Sequence, residues 1–250
     1  MTTAFRPQPS DMVTALALLT RIPVRATFTR SAESAWAFPL AGLAVGVIAG
    51  AVATIAGWLT LGAGLTAGFT LAALVITTGA MHEDGLADCA DGFWGGFERT
   101  RRLEIMRDSR IGAYGVLALI LGLLLRFTAL TTLAHEDVIV TTVIAAALLS
   151  RATIPYVMTL LPHARRDGLS VQTGRPPRAA ASLGAAIALA LSWLVVGFVP
   201  TVVAASAVTA TAFCAARIAR TKIGGQTGDV LGATQMLSEI AALTVFSAFV

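Results

Sequence analysis

The sequence predicts an all-α fold, a polytopic integral membrane helical bundle of about seven transmembrane helices, on three observations. First, of 250 residues 56% are hydrophobic and only 13% are charged, and the mean hydropathy is +0.78. That balance is far more apolar than a soluble domain carries. Second, the apolar residues gather in runs close to the roughly 20 residues needed to cross the hydrocarbon core of a bilayer. Third, the basic residues fall into alternate loops between those runs. The formal net charge is +4, but the arginines are scattered among apolar stretches, so no nucleic-acid partner is expected. Two cysteines, Cys89 and Cys214, provide no disulfide framework and are read as reduced thiols.

The elements follow in order along a single membrane-embedded domain over residues 1–250. Residues 1–37 form an interfacial segment: Met12 to Leu19 is too apolar for a plain tail, and Pro7, Pro9 and Pro23 limit the amphipathic helix expected there. No removable signal peptide is expected before Phe38. Seven spans are predicted, Phe38 to Leu59, Gly64 to Met81, Ile111 to Leu133, Val138 to Leu161, Ala179 to Phe198, Thr201 to Ala216 and Val230 to Val250. The sixth is short. Glycine is frequent within the spans, which suits close helix packing in lipid. Trp36, Trp58, Trp94 and Trp193 are expected to anchor at the interfaces.

Sixteen of the eighteen basic residues lie in the N-terminal segment and in the second, fourth and sixth polar loops. The intervening connections, around Thr60 to Ala63, Ala134 to Asp137, and Val199 to Pro200, contain none. By the positive-inside rule the N-terminus and every basic loop are expected in the cytoplasm, in a multi-pass protein of the cell membrane.

Chemistry concentrates in the second polar loop. His82-Glu-Asp-Gly-Leu-Ala-Asp-Cys-Ala-Asp-Gly92 is followed by Glu104-Ile-Met-Arg-Asp-Ser-Arg-Ile-Gly112. These two stretches hold six of the fourteen acidic residues, Glu83, Asp84, Asp88, Asp91, Glu104 and Asp108. On a helix, Asp84, Asp88 and Asp91 share one face, and Glu104 and Asp108 repeat the i,i+4 spacing on the next helix. Like charges so stacked repel, and a divalent metal handling phosphates at the membrane edge is the compensating role expected. Carboxylates converging on magnesium would neutralise a diphosphate, and one carboxylate left partly free would take the proton of an attacking hydroxyl. A transporter would concentrate its polar residues near the midplane; here they gather at helix ends, which disfavours that reading.

These stretches, with Thr20-Arg-Ile-Pro23, Phe38-Pro-Leu40, Gly42 and Gly224-Gly-Gln-Thr-Gly-Asp229, resemble the signature of the cobalamin 5′-phosphate synthase (adenosylcobinamide-GDP ribazoletransferase) family. The resemblance runs from near Thr20 to about Gly232. It implies a magnesium-dependent membrane enzyme of cobalamin biosynthesis. Such an enzyme transfers the cobinamide phosphate of adenosylcobinamide-GDP to α-ribazole or α-ribazole 5′-phosphate and releases GMP. A looser similarity links the same spacing to the CDP-alcohol phosphotransferases of lipid synthesis. Against that alternative, Phe93-Trp94 follow Gly92 where those enzymes have Ala-Arg, and Glu104-x3-Asp108 replaces the second half of their motif.

On that footing Asp84, Asp88, Asp91 and Asp108 are expected to hold Mg2+, with Glu104 assisting and Asp88 or Asp108 as the base. Glu83, about 100° around the helix from Asp84, is read as supporting the ligands or facing solvent. His82 is read as a proton-transfer group or as an interfacial residue. Zinc on His82 and Cys89 lacks further ligands. Arg107 and Arg110 would grip the diphosphate or pair with the acidic cluster. The backbone of Gly224, Gly225, Gln226, Thr227 and Asp229 would cradle an anion. Arg126 and Arg151 fall inside spans, where a charge is costly; one of them would pair with Glu239, or Arg151 would reach the substrate phosphates. His163, Arg165, Arg166 and Gly168 are expected at the mouth of the site or along a lipid-facing edge. Self-association is left open.

Overall fold

The computed structural model describes residues 5–250; of the interfacial segment 1–37, residues 1–4 lie outside the described residues. Helix α1 (Pro9–Leu19) starts on a proline, whose missing N–H costs nothing in the first turn. Asp11, fully buried in it, accepts from the Gln8 amide at 2.9 Å, from Arg30 Nε at 3.1 Å and from Trp36 Nε1 at 2.9 Å. Burial alone would raise the Asp11 carboxyl, but the Arg30, Trp36 and Gln8 hydrogen bonds bring it below the ordinary carboxylate value. Trp36 is therefore an internal strut of the segment and not merely an anchor in lipid headgroups. Two 3-10 turns, Phe28–Arg30 and Glu33–Ala37, deliver the chain to the first long helix.

Among the described residues six helices are long and apolar enough to cross a bilayer: α2 (Phe38–Trp58), α6 (Ala113–His135), α7 (Ile139–Leu160), α9 (Arg178–Val196), α10 (Phe198–Ile223) and α11 (Gly228–Ser247). Between α2 and α6 lie α3 (Ala63–Thr78), α4 (Met81–Gly95) and the short α5 (Arg99–Ile105); α8 (Leu169–Thr173) follows α7. Helix α7 is buried over most of its length and forms the axis of the bundle, with α2, α9 and α11 packed around it. Its closest neighbour is α2, through a Gly42, Gly46 stripe. A Cβ at Gly46 would lie 2.8 Å from the Ile144 Cα, and one at Gly42 would collide with the Ala147 carbonyl. Small residues at four-residue spacing let two backbones approach in lipid, where dispersion contacts replace a hydrophobic driving force.

Two predicted spans need correction. The second, Gly64 to Met81, is α3, whose 16 residues reach only about 24 Å at 1.5 Å per residue. Two successive left-handed residues, Gly79 and Ala80, then turn the chain by 84° into α4, so the acidic motif is the second limb of a bent pair. The sixth span is not short: α10 has 26 residues and carries Arg217, Arg220 and Lys222 within its last two turns. A hydropathy window stops at the first charge, whereas Arg and Lys are good helix formers and are favoured at helix C-termini.

Both arginines inside spans pair with Glu239, as expected of one of them, and Arg126 also pairs with Glu83, which was not expected. Arg126 Nη1 lies 2.5 Å from Glu83 Oε1, and its Nη2 lies 2.6 Å from Glu239 Oε1. Arg151 Nη1 reaches Glu239 Oε2 at 3.5 Å and the Ala147 carbonyl at 3.2 Å. Gln235 donates to Glu239 Oε2 at 2.8 Å and to Ser150 Oγ at 3.1 Å. Two cations and two anions thus cancel inside the bundle. Glu83, expected as a support for metal ligands or a solvent-facing group, is one of them.

Candidate active site

Helix α4 places Asp84 in the open, Asp88 half-buried and Asp91 buried, on one face as the helical period requires. Gly85, between the first two, is where α11 presses in: a Cβ there would lie 2.7 Å from the Asp229 carbonyl oxygen. That approach brings the first turn of α11 against the acidic face. The charges acting most strongly on Asp88 are those of Asp229, Asp84 and Asp91, opposed by Arg165. Asp229 itself accepts from Thr227 Oγ1 at 3.1 Å and pairs with Arg165 at 3.3 Å. Among the described residues no side-chain hydrogen bond or ion pair ends on Asp84 or Asp88.

Asp91 has other work. Its carboxylate accepts from the Gly112 amide at 2.7 Å and from the Gly115 amide at 2.9 Å, capping the N-terminus of α6. Those amides have no partner within their own helix, and the positive end of the helix dipole favours an anion there. Asp91, expected as a metal ligand, is thus already engaged by backbone.

Glu104 and Asp108 do not share a helix, because α5 ends at Ile105. The expected i,i+4 pair is therefore not formed. Glu104 is exposed and meets Arg101 at 3.1 Å. Asp108 lies in the loop before α6, where Arg110 donates to it from its backbone amide at 3.1 Å and from Nη2 at 2.7 Å. The Arg110 hydrogen bonds hold its carboxyl down at about 2. A carboxylate held so low accepts a proton poorly at neutral pH. Arg107 pairs with Asp167. Arg151, expected to reach substrate phosphates, is turned into the interior network, because a charge in lipid is least costly beside its counter-ion.

The glycine-rich stretch links α10 to α11. Gly224 closes α10 in the left-handed conformation with φ of +79°. Gln226 is held to the α7–α8 loop: its amide donates to the Pro162 carbonyl at 2.8 Å, its carbonyl accepts from the Ala164 amide at 2.9 Å, and its side chain meets His163 Nδ1 at 2.8 Å. Thr227 caps α11 by accepting from the Val230 amide at 3.3 Å. Gln226 and Thr227 are buried, so their side chains build the loop. Arg99 fastens the same corner, donating to the Ile223 carbonyl at 2.8 Å and the Ala164 carbonyl at 2.6 Å.

Two concave spaces meet at Arg165. One, of about 190 Å³, has Asp84 and Asp229 on its wall together with His82. The other, of about 660 Å³, is a basic cleft walled by Arg99, Arg107, His163, Arg165 and Arg166, with Glu104 among them. Arginine meets phosphate oxygens in a planar fork, so the cleft suits a diphosphate. Arg165 and the carboxylate of Asp229 are central here, yet from sequence the first was one of several mouth residues and the second part of a backbone anion cradle. The signal for Asp229 was available: an acid following a Thr N-cap opens α11 at the level of the acidic face.

Asp84, Asp88 and Asp229 are hard oxygen donors of the kind magnesium takes, two of them without a counter-charge of their own. Among the described residues, however, no three His, Cys, Asp or Glu side chains converge on one point. The donor chemistry fits a divalent ion; the set is an open face and not a closed cage.

Comparison with known proteins places this geometry in context. A family model described as cobalamin-5-phosphate synthase matches residues 11–247. An adenosylcobinamide-GDP ribazoletransferase of Bradyrhizobium diazoefficiens is 41% identical over 244 residues, covering 96% of this chain and 94% of the relative. A protein of the same name from Mesorhizobium japonicum is 43% identical over 248 residues, covering 95% and 92%. One from Sinorhizobium medicae is 40% identical over 248 residues, covering 93% and 94%. No solved structure matches significantly.

Proposed function

The chain belongs to the cobalamin-5-phosphate synthase family, and from that premise we propose that it catalyses the joining step of cobalamin biosynthesis, with its acidic face toward the cytoplasm. The donor is adenosylcobinamide-GDP and the acceptor is α-ribazole or its 5′-phosphate. A ribose hydroxyl of the acceptor attacks the phosphorus on the cobinamide side of the diphosphate, the bridging P–O bond breaks, and GMP leaves with the bridging oxygen. The observation that carries this reading is the pair of carboxylates without side-chain partners among the described residues, Asp84 and Asp88, on the face that Asp229 joins, beside a basic cleft that shares Arg165 with the cavity lined by Asp84 and Asp229.

Each residue then has a physical task. Arg165, Arg166 and Arg107 neutralise the diphosphate and the charge that grows on the departing GMP, a preorganised stabilisation that costs no reorganisation during the reaction. Asp88, half-buried and with no side-chain hydrogen bond among the described residues, accepts the proton of the attacking hydroxyl. Asp84, Asp88 and Asp229 would hold magnesium, which supplies further neutralisation of the phosphate oxygens. Arg110 keeps Asp108 ionised, which leaves Asp88 the better base. Clustering of the basic residues at this end of the bundle supports the cytoplasmic orientation.

The test is direct: the purified full chain in lipid nanodiscs, given magnesium, adenosylcobinamide-GDP and α-ribazole, should release GMP and form a cobamide in equal amounts. Turnover of a CDP-activated lipid alcohol with no cobamide formed would overturn the reading in favour of a phospholipid synthase.

A further inference from the structure

Helix α10 packs chiefly on α11 and stands off from α7 and α9, which leaves a groove of about 430 Å³ between those three helices. Its wall is largely apolar, with Leu149, Tyr156 and Leu160 from α7, Ala185 and Leu189 from α9 and Phe213 from α10. Along α7 the groove runs from Leu149 to Leu160, about 16 Å at 1.5 Å per residue. That is close to half the roughly 30 Å hydrocarbon core of a bilayer. The groove ends where α7 ends, beside the loop that carries His163, Arg165 and Arg166. Two arginines lie in line with it. Arg178 precedes Ala185 by seven residues on α9, and Arg220 follows Phe213 by seven on α10. Seven residues are close to two helical turns, so both arginines stay near the faces that line the groove. Only Gly197 separates α9 from α10. The chain reverses there, and the start of α9 and the end of α10 share the basic end of the bundle.

Nothing on the walls answers these two charges. Helices α7, α9 and α10 contain no Asp or Glu, and Asp167, the acid of the α7–α8 loop, is taken by Arg107. Arg178 and Arg220 are exposed, and among the described residues neither forms an ion pair. Helix polarity favours a cation at the end of α10 but opposes one at the start of α9, so it accounts for only one of them. We propose that the groove binds an anionic phospholipid, with an acyl chain along α7 and the phosphate between Arg178 and Arg220. The apolar length, one leaflet deep, takes the chain, and the surplus of positive charge at its basic end takes the headgroup. A zwitterionic headgroup brings an ammonium for which three acid-free helices hold no partner. A second copy of the chain docked symmetrically over this face would add like charge to like charge. Since α7 leads directly to His163 and Arg165 and α10 to Gly224, a lipid seated here braces the helix ends from which the basic cleft is built.

Native mass spectrometry of the purified full chain in detergent, titrated with dioleoylphosphatidylglycerol or dioleoylphosphatidylcholine, tests this without any turnover. The phosphatidylglycerol should bind about tenfold more tightly than the phosphatidylcholine, the scale expected when two cations meet an anionic headgroup. Arg178→Gln with Arg220→Gln should abolish that preference. Arg25→Gln with Lys222→Gln removes the same charge away from the groove, since Lys222 lies over the Trp94 ring, and should retain it. Ala185→Trp, which fills the groove, should weaken both lipids. Equal affinities for the two lipids in the parent would overturn the proposal. So would an equal loss of preference in the Arg25 and Lys222 control, which would make it a property of overall charge. Displacement of the lipid by adenosylcobinamide-GDP would overturn it by giving the groove to substrate, and a dimer that Ala185→Trp dissociates would give it to a second copy. The arginine variants change exposed side chains and keep the packing, so they decide the case even if Ala185→Trp fails to fold.

Discussion

Glu83 and Asp84 are neighbours in sequence and opposites in circumstance. Glu83 turns inward to Arg126, in a network with Glu239 and Arg151 whose charges cancel within the bundle. Asp84 turns outward to a face shared with Asp88 and Asp229, where acids outnumber the single opposing Arg165. About 100° of helix rotation separates them. Deep in the bundle an unpaired charge has no water to fall back on, so every ion must find its counter-ion; at the membrane edge water tolerates an excess of one sign. The paired region holds α4, α6, α7 and α11 in register, and the unpaired region is left with charge to spend on a ligand.

Breaking the interior should do the most damage. Arg126→Met strands Glu83 and Glu239 without their shared partner and should cost about 3–5 kcal/mol, read as lost folded yield and a lower unfolding temperature in detergent. Replacing Glu83 and Arg126 together by leucine leaves Arg151 with Glu239 as a neutral pair and should recover most of that loss. A double variant no more stable than Arg126→Met would show that the network does more than balance charge.

The exposed face should respond in the opposite sense. Asp88→Asn should lower turnover by about 10²–10³-fold, the scale of removing one preorganised stabilising group, while the unfolding temperature barely moves. Near-parental rates would remove Asp88 from the reaction. Asp91 stands between the two regions, acidic in sequence but committed to the amides of α6. Asp91→Ala should cost about 1 kcal/mol of stability through the lost cap, visible in chemical denaturation, and any fall in rate should track that loss.

The smallest effect belongs to the loop before α6. Asp108 sits lower than its ordinary value because Arg110 donates to it. A depressed carboxyl contributes stability above its unfolded value near 3.8, and that contribution is lost as pH falls through about 2. Arg110→Ala should therefore return the Asp108 titration, followed by NMR, toward the ordinary range, with a small loss of stability at neutral pH that disappears below about pH 2. If Asp108 already titrates near 4 in the parent, the pairing with Arg110 does not persist in solution.

Much of this was legible residue by residue. The long apolar helices, the alternation of basic loops and the one-sided arrangement of Asp84, Asp88 and Asp91 follow from hydropathy and the 3.6-residue period. The expected pairing of a span arginine with Glu239 is met twice over. What could not be read was how each acid is used. Asp91 looks like its motif partners until α6 presents its amides, and Glu104 and Asp108 look like a helical pair until α5 ends between them. Asp229 lies far along the chain from the acidic motif and joins it only because Gly85 lets α11 come close.

The sequence alone therefore determined that this is a membrane bundle with acids at a basic end, because transfer into lipid and helical spacing act on short stretches of chain. Tertiary structure alone decided which carboxylates are neutralised and which are left free. A charge in a low-dielectric surround is governed by its nearest partner through space, and those partners come from α6, α7 and α11, remote in sequence from the motif they complete.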